Sequence, residues 1–181
     1  MSISERAGRL ALALLFSAAA APALADPGPE LGEPVTAAEI AKWNISIAPD
    51  GATLLPGQGD ARRGRAVYQD RCVACHGADG EGGEGTAGPL AGGIGSLASD
   101  KPLKTVGSYW PHATTIFDYV RRAMPYDRPM SLGNDDVYAL TAYILALNGI
   151  IGDTTTLDAT TLPKITMPNR AGFVLHWPEP D

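Results

Sequence analysis

A chain of 181 residues, 45% hydrophobic and 19% charged, has the length and apolar content for one compact domain with appended segments. Its 14 Lys and Arg stand against 20 Asp and Glu, a formal charge of −6 with no basic block, which excludes a nucleic-acid partner. Beyond the N-terminus no apolar stretch approaches the length of a membrane helix.

Residues 1–25 read as a secretory signal peptide. Arg6 and Arg9 come before an apolar run from Leu10 to Ala21, too short for a confident membrane span, and Ala23-Leu24-Ala25 has the small-x-small form of a cleavage site. Cleavage after Ala25 removes Arg6, Arg9 and Glu5, leaving 12 basic against 19 acidic side chains and a formal charge of −7. The mature chain is expected to be soluble and periplasmic, without a transmembrane anchor. Residues 26–58 form an N-terminal extension in which Thr36-Ala37-Ala38-Glu39 is a capping-box pattern for a short helix. Asp50-Gly51, between Ile45-Ser46-Ile47 and Leu54-Leu55, predicts a turn.

The first main helix is capped by Asp60 and runs through Cys75, with Gly64, Val67, Tyr68, Cys72 and Cys75 on one face. It carries Cys72-Val73-Ala74-Cys75-His76, the spacing at which two thiols and an imidazole hold one haem covalently. On one helical turn both sulfurs point the same way, so each can form a thioether to a vinyl group while His76 binds iron beneath the ring. A zinc site would need a second Cys pair or a His-x-x-x-His, and neither exists. A redox dithiol would need a βαβ pattern around it. From Gly77 to Gly95 the chain is glycine-rich, and an ordered loop is expected, because a backbone wrapping a flat macrocycle needs positions without Cβ.

Tyr109 and Trp110 are candidates for packing on the ring or donating to a propionate. A second helix spans Ala113 to Ala123, with Ile116, Phe117, Val120 and Ala123 inward and Arg121 and Arg122 in the last turn, where cations favour the dipole. Pro125 ends it. A residue before proline leaves the helical region, so Met124 swings away from the helix and can bring its thioether over the iron as sixth ligand. Met130, in the same loop, is the second candidate for that ligand, though an apolar plug is the favoured reading; His112 is read as a surface or propionate contact and Met167 and His176 belong to the tail, and these three or an open iron remain as further alternatives. The third helix begins after Asn134 as its cap, carries Val137, Leu140, Ile144 and Leu147 at helical spacing, and stops at Asn148-Gly149. Residues 59–151 thus form the haem domain. Residues 152–181, rich in Pro and Thr, are expected as an extended strap, packed on that domain or held by a partner.

Over Asp60 to Gly149 the chain resembles class I c-type cytochromes. Gly64 and Tyr68 match the family's first-helix Gly and aromatic, and Leu140 and Tyr143 the pair on its last helix; in the family these four make the close crossing of the two helices. Pro89-Leu90 resembles a family loop whose proline carbonyl accepts a hydrogen bond from the proximal His, which would fix the tautomer of His76. Met124-Pro125 resembles the family's Met-Pro step. The resemblance implies an all-α cytochrome c fold, three main helices around one covalent haem c, with irregular N- and C-terminal extensions. His/Met ligation raises the potential and leaves no coordination position for substrate, so the expectation is an electron carrier and not an enzyme.

A narrower resemblance covers Tyr109-Trp110-Pro111, Ala113 to Tyr119, Arg122-Ala123-Met124-Pro125, Ala142 to Ile151, Leu162-Pro163 and Met167-Pro168-Asn169-Arg170. These segments look like the cytochrome subunits of periplasmic sulfur-compound dehydrogenases of the Sox type, which accept electrons from a molybdenum subunit oxidising sulfite or sulfane sulfur. The resemblance implies that partner and a downstream electron acceptor. Sox-type cytochromes often carry two haem domains, whereas this chain has one Cys-x-x-Cys-His. A free diffusible cytochrome, or a haem enzyme or sensor with an open sixth position, stays as an alternative.

Overall fold

The computed structural model describes residues 31–83 and 87–174. The expected signal peptide and His176 lie outside the described residues. Of the described residues, 31–40 belong to one unit and those from 41 onward to another. Helix α1 (Ala37–Trp43) begins in the first. Glu39 N–H donates to Thr36 Oγ1 at 3.3 Å and the Glu39 carboxylate accepts from Thr36 N–H at 3.0 Å, the reciprocal capping expected from the sequence. The Thr36 bonds hold the Glu39 carboxyl below its ordinary range.

The larger unit is helical apart from one two-residue antiparallel pairing, β1 (Gln58–Gly59) with β2 (Leu157–Asp158). Its helices are α2 (Ala61–Arg71), α3 (Val73–His76), α4 (Val106–Tyr109), α5 (Ala113–Ala123) and α6 (Asn134–Leu147). Asp60 caps α2, accepting from Arg63 N–H at 2.9 Å. The single helix expected from Asp60 through Cys75 is broken at Cys72, whose φ of −124° leaves the helical region. The Tyr68 hydroxyl, donating to the Gly77 carbonyl at 2.9 Å, shows what the break allows. In a straight helix those nine residues would span about 13 Å, beyond a tyrosine's reach. The motif is folded back onto the helix that carries it.

Helix α5 has the span its period predicted, and Met124 follows it with φ −121° and ψ 147°, the extended geometry expected before proline. Helix α6 corrects a second expectation: Gly133 occupies the cap and Asn134 is the first helical residue, its side-chain amide donating to the Pro56 carbonyl at 2.9 Å. Asp135 and Asp136 fill the first turn, where carboxylates offset the exposed N–H groups electrostatically. At its other end Asn148 is the C-cap and Gly149 turns left-handed at φ +67°, as its sequence predicts.

The core is α6 packed against α2 and α5, and Phe117, Val137, Tyr138, Ala142 and Leu145 are all fully buried along it. The crossing of α2 and α6 is closed by Gly64. A Cβ there would overlap the Ala139 carbonyl and lie 2.8 Å from the Tyr143 Cβ. One turn on, the Tyr68 and Tyr143 rings pack tilted, with centroids 5.1 Å apart. Gly64, Tyr68 and Tyr143 of the helix-crossing pattern therefore meet, and Leu140, the fourth, is buried in the same core.

Residues on either side of the three main helices join the same unit. Ile47 is buried and donates its N–H to the buried Asp118 carboxylate of α5 at 3.0 Å; Arg122, one helical turn away, pairs with the same carboxylate. Gly51 forms the predicted turn at φ +76°. Beyond α6, Leu157, Leu162 and Met167 are buried in the core, and a short 3-10 turn spans Leu162–Lys164. Asp158 collects the Thr160 and Thr161 hydroxyls and N–H groups, which hold its carboxyl down to about 2. Of the two arrangements expected for the tail, residues 152–174 take the packed one.

Candidate functional site

The glycine-rich loop is held in place by polar groups. Asn148 accepts from Gly92 N–H at 3.1 Å and donates to the Leu90 carbonyl at 3.1 Å, tying the loop to the end of α6. Thr105, the α4 cap, donates to the Gly92 carbonyl at 2.7 Å, and Ser108 completes a capping box with it. Ordering of the described parts follows from these bonds and from Gly93, where a Cβ would strike the Leu103 carbonyl.

A cavity of about 740 Å³ opens between this loop, the Cys72–His76 turn, α4, α5, Met124 and α6. Its walls are mostly apolar: Leu90, Val106, Ile116, Val120, Leu132, Leu140 and Ile144 face it. That is the size and lining of a site for a large flat apolar cofactor. Six of the seven predicted site residues line it, namely Cys72, Cys75, His76, Pro89, Trp110 and Met124.

Tyr109 is the exception. Its ring packs edge-on against Phe173 at 5.3 Å and its carbonyl accepts from Asn169 Nδ2 at 2.8 Å, so it anchors the tail instead of lining the cavity. Alternation explains this, because Tyr109 and Trp110 straddle the end of α4 and cannot face the same way. Met130 corrects another expectation, being 53% exposed with φ +60° and no plug beneath its loop. Met167 is buried in the core, and His112 contacts Arg170 through Nδ1 and pairs with Thr166 across an isolated bridge. None of these three lines the cavity.

At the motif, Cys72 is half-buried and Cys75 exposed. Burial, followed by the neighbouring Cys75, pushes the Cys72 thiol up to about 11. Burial likewise raises the Tyr68 phenol. His76 Nδ1 is the one buried side-chain nitrogen or oxygen among the described residues without a hydrogen-bond partner. The bond expected to the Pro89 carbonyl is therefore not made here, although both residues line the cavity. Sequence reasoning missed Lys104, Tyr119 and Tyr126 on the cavity wall. Tyr119 stands edge-on to Trp110, with centroids 5.8 Å apart.

The family model for cytochrome c matches residues 61–148. Over 80% of its length the chain also superposes on a chain of the sulfane dehydrogenase SoxCD from Paracoccus pantotrophus, with 41% identity, a TM-score of 0.73 and 71% of that chain covered. The chain belongs to the cytochrome c family. No curated protein matches it. As a cytochrome c it carries covalent haem c with iron, and its fold is the all-α one expected. The residues present fit that group: two thiols three positions apart, an imidazole with a buried unpaired nitrogen, and a cavity of apolar side chains. Each thiol of the cytochrome can add across a vinyl double bond, its sulfur bonding one carbon and its proton passing to the other. No described helix is long and apolar enough to cross a membrane.

Proposed function

We propose that this cytochrome is the electron-accepting subunit of a periplasmic molybdenum sulfite or sulfane dehydrogenase, exported by a signal peptide at residues 1–25. The observation that carries the reading is the extent of the likeness to the sulfane dehydrogenase chain: 80% of this chain is covered, well beyond residues 61–148. A carrier sharing only the haem domain would match only there. The segments outside it, 41–58 and 152–174, are packed into the core through Ile47, Leu157, Leu162 and Met167, so they are kept as part of the fold.

In this reading Cys72 and Cys75 would carry the thioethers, and His76 and Met124 would hold the iron, within a haem domain at residues 59–151. Bound haem supplies one-electron chemistry at iron. The protein's part is to hold both ligands, exclude water with the apolar wall and leave substrate no position at the metal. Trp110, which lines the cavity, would pack against the ring or donate to a propionate. The downstream partner is a further electron acceptor.

Rapid mixing tests the proposal. Sulfite or a sulfane donor is expected to reduce the holoprotein only when the molybdenum subunit is present. Reduction by the sulfur compound alone would overturn the carrier reading, and equal rates with several unrelated reductases would favour a free cytochrome.

A further inference from the structure

A haem bound through its vinyl groups brings two carboxylates into the site, on the edge of the macrocycle remote from those vinyls. Burying a carboxylate against an apolar wall is costly unless a cation or donor meets it. In an acidic protein such cations are few. Among the described residues two Lys or Arg line the cavity, Arg71 and Lys104.

Their surroundings separate them. Arg71 directly precedes Cys72, so the covalent chain places it at the vinyl edge, and its Nε is already paired with Asp70 at 2.6 Å. Lys104 comes from the segment leading into α4. It has no carboxylate partner among the described residues. Its ammonium sits 5.0 Å over the Tyr109 ring, whose position is fixed by Phe173 and Asn169. An aromatic face holds a cation in place without neutralising it, leaving the charge available to an anion in the cavity.

We propose that Lys104 is the counter-ion of a haem propionate, that Tyr109 positions it from behind, and that the propionate edge therefore faces the segment before α4. Reduction adds one negative charge to the haem. A cation fixed at its edge favours that state and raises the potential. Tyr109 then serves the site indirectly, through Lys104 and not by contact with the ring.

The midpoint potential of the purified holoprotein, titrated spectroscopically with no partner present, tests this. Lys104→Gln is expected to shift it downward, Lys104→Glu further down, and Lys104→Arg to leave it near the starting value. Arg71→Gln and Lys101→Gln, the latter an exposed lysine outside the cavity, are expected to move it much less. A Lys104→Gln potential equal to that of the unmodified protein, or a shift as large in Lys101→Gln, would overturn the proposal. A drop in Arg71→Gln alone would place the propionates at the other end. Because no dehydrogenase enters the measurement, either failure leaves the partner reading standing.

Discussion

The wall of the cavity that carries the thiols and the wall that carries Met124 are built on different principles. On the first, three reactive groups lie within five consecutive residues, on a turn pinned by the Tyr68 hydroxyl to the helix before it. That helix is locked to α6 at Gly64, where there is no room for even a methyl group. On the second, Met124 stands on extended backbone just past α5, followed by a loop in which Tyr126 is 86% exposed and Met130 53%. One wall is fixed by covalent neighbourhood and close packing. The other depends on where α5 stops and how it lies on α6. Damage to the first should therefore abolish the site, and damage to the second should alter its chemistry while leaving it in place.

The largest effect is expected from the double substitution Cys72→Ala and Cys75→Ala. The chain has no other cysteine, so covalent haem should be lost entirely. A denaturing gel stained for haem reads this, and a stained band from the double variant would break the comparison at its root. Met124→Ala should keep that stain yet lose the long-wavelength sulfur-to-iron band of the oxidised protein, pass to a ligand-accepting or high-spin form, and fall in potential. Met130→Ala should leave the spectrum nearly unchanged, since its side chain is turned to solvent. Loss of the band in the Met130 variant and its survival in the Met124 variant would invert the assignment on this wall.

A smaller change sharpens the contrast within the first wall. Tyr68→Phe keeps the ring pair with Tyr143 but removes the hydrogen bond to Gly77. That should cost about 1 kcal/mol of stability. Denaturant unfolding of the holoprotein gives the value, with covalent attachment retained. A variant that folds normally but attaches haem poorly would show that the hydroxyl aims the motif as well as stabilising it.

Legibility in the sequence followed the same division. The motif could be read directly because Cys72, Cys75 and His76 are neighbours in the chain, and α5 because its apolar period ends at Met124-Pro125. The break at Cys72 was not legible: helical period runs through it, and only the Tyr68 bond to Gly77, made in three dimensions, shows how the turn is re-aimed. Asn134 has the chemistry of a cap, yet Gly133 takes that place because the Asn134 amide is used by the Pro56 carbonyl, 78 residues away in the chain. Lys104 and Tyr119 carried no local signal, since one sits in an aperiodic segment and the other beside, not among, the apolar residues that mark the inward face of α5.

By itself the sequence determined the cofactor, the three main helices and the crossing of the first with the last, because each rests on residues a few positions apart whose spacing has one economical geometry. Only the tertiary structure decided that the tail packs through Leu157, Leu162 and Met167, that Tyr109 turns away from the cavity while Trp110 faces it, and which cations border the site. Those outcomes depend on contacts between segments far apart in the chain, where burial and hydrogen-bond satisfaction are settled among competing partners and no local pattern records the winner.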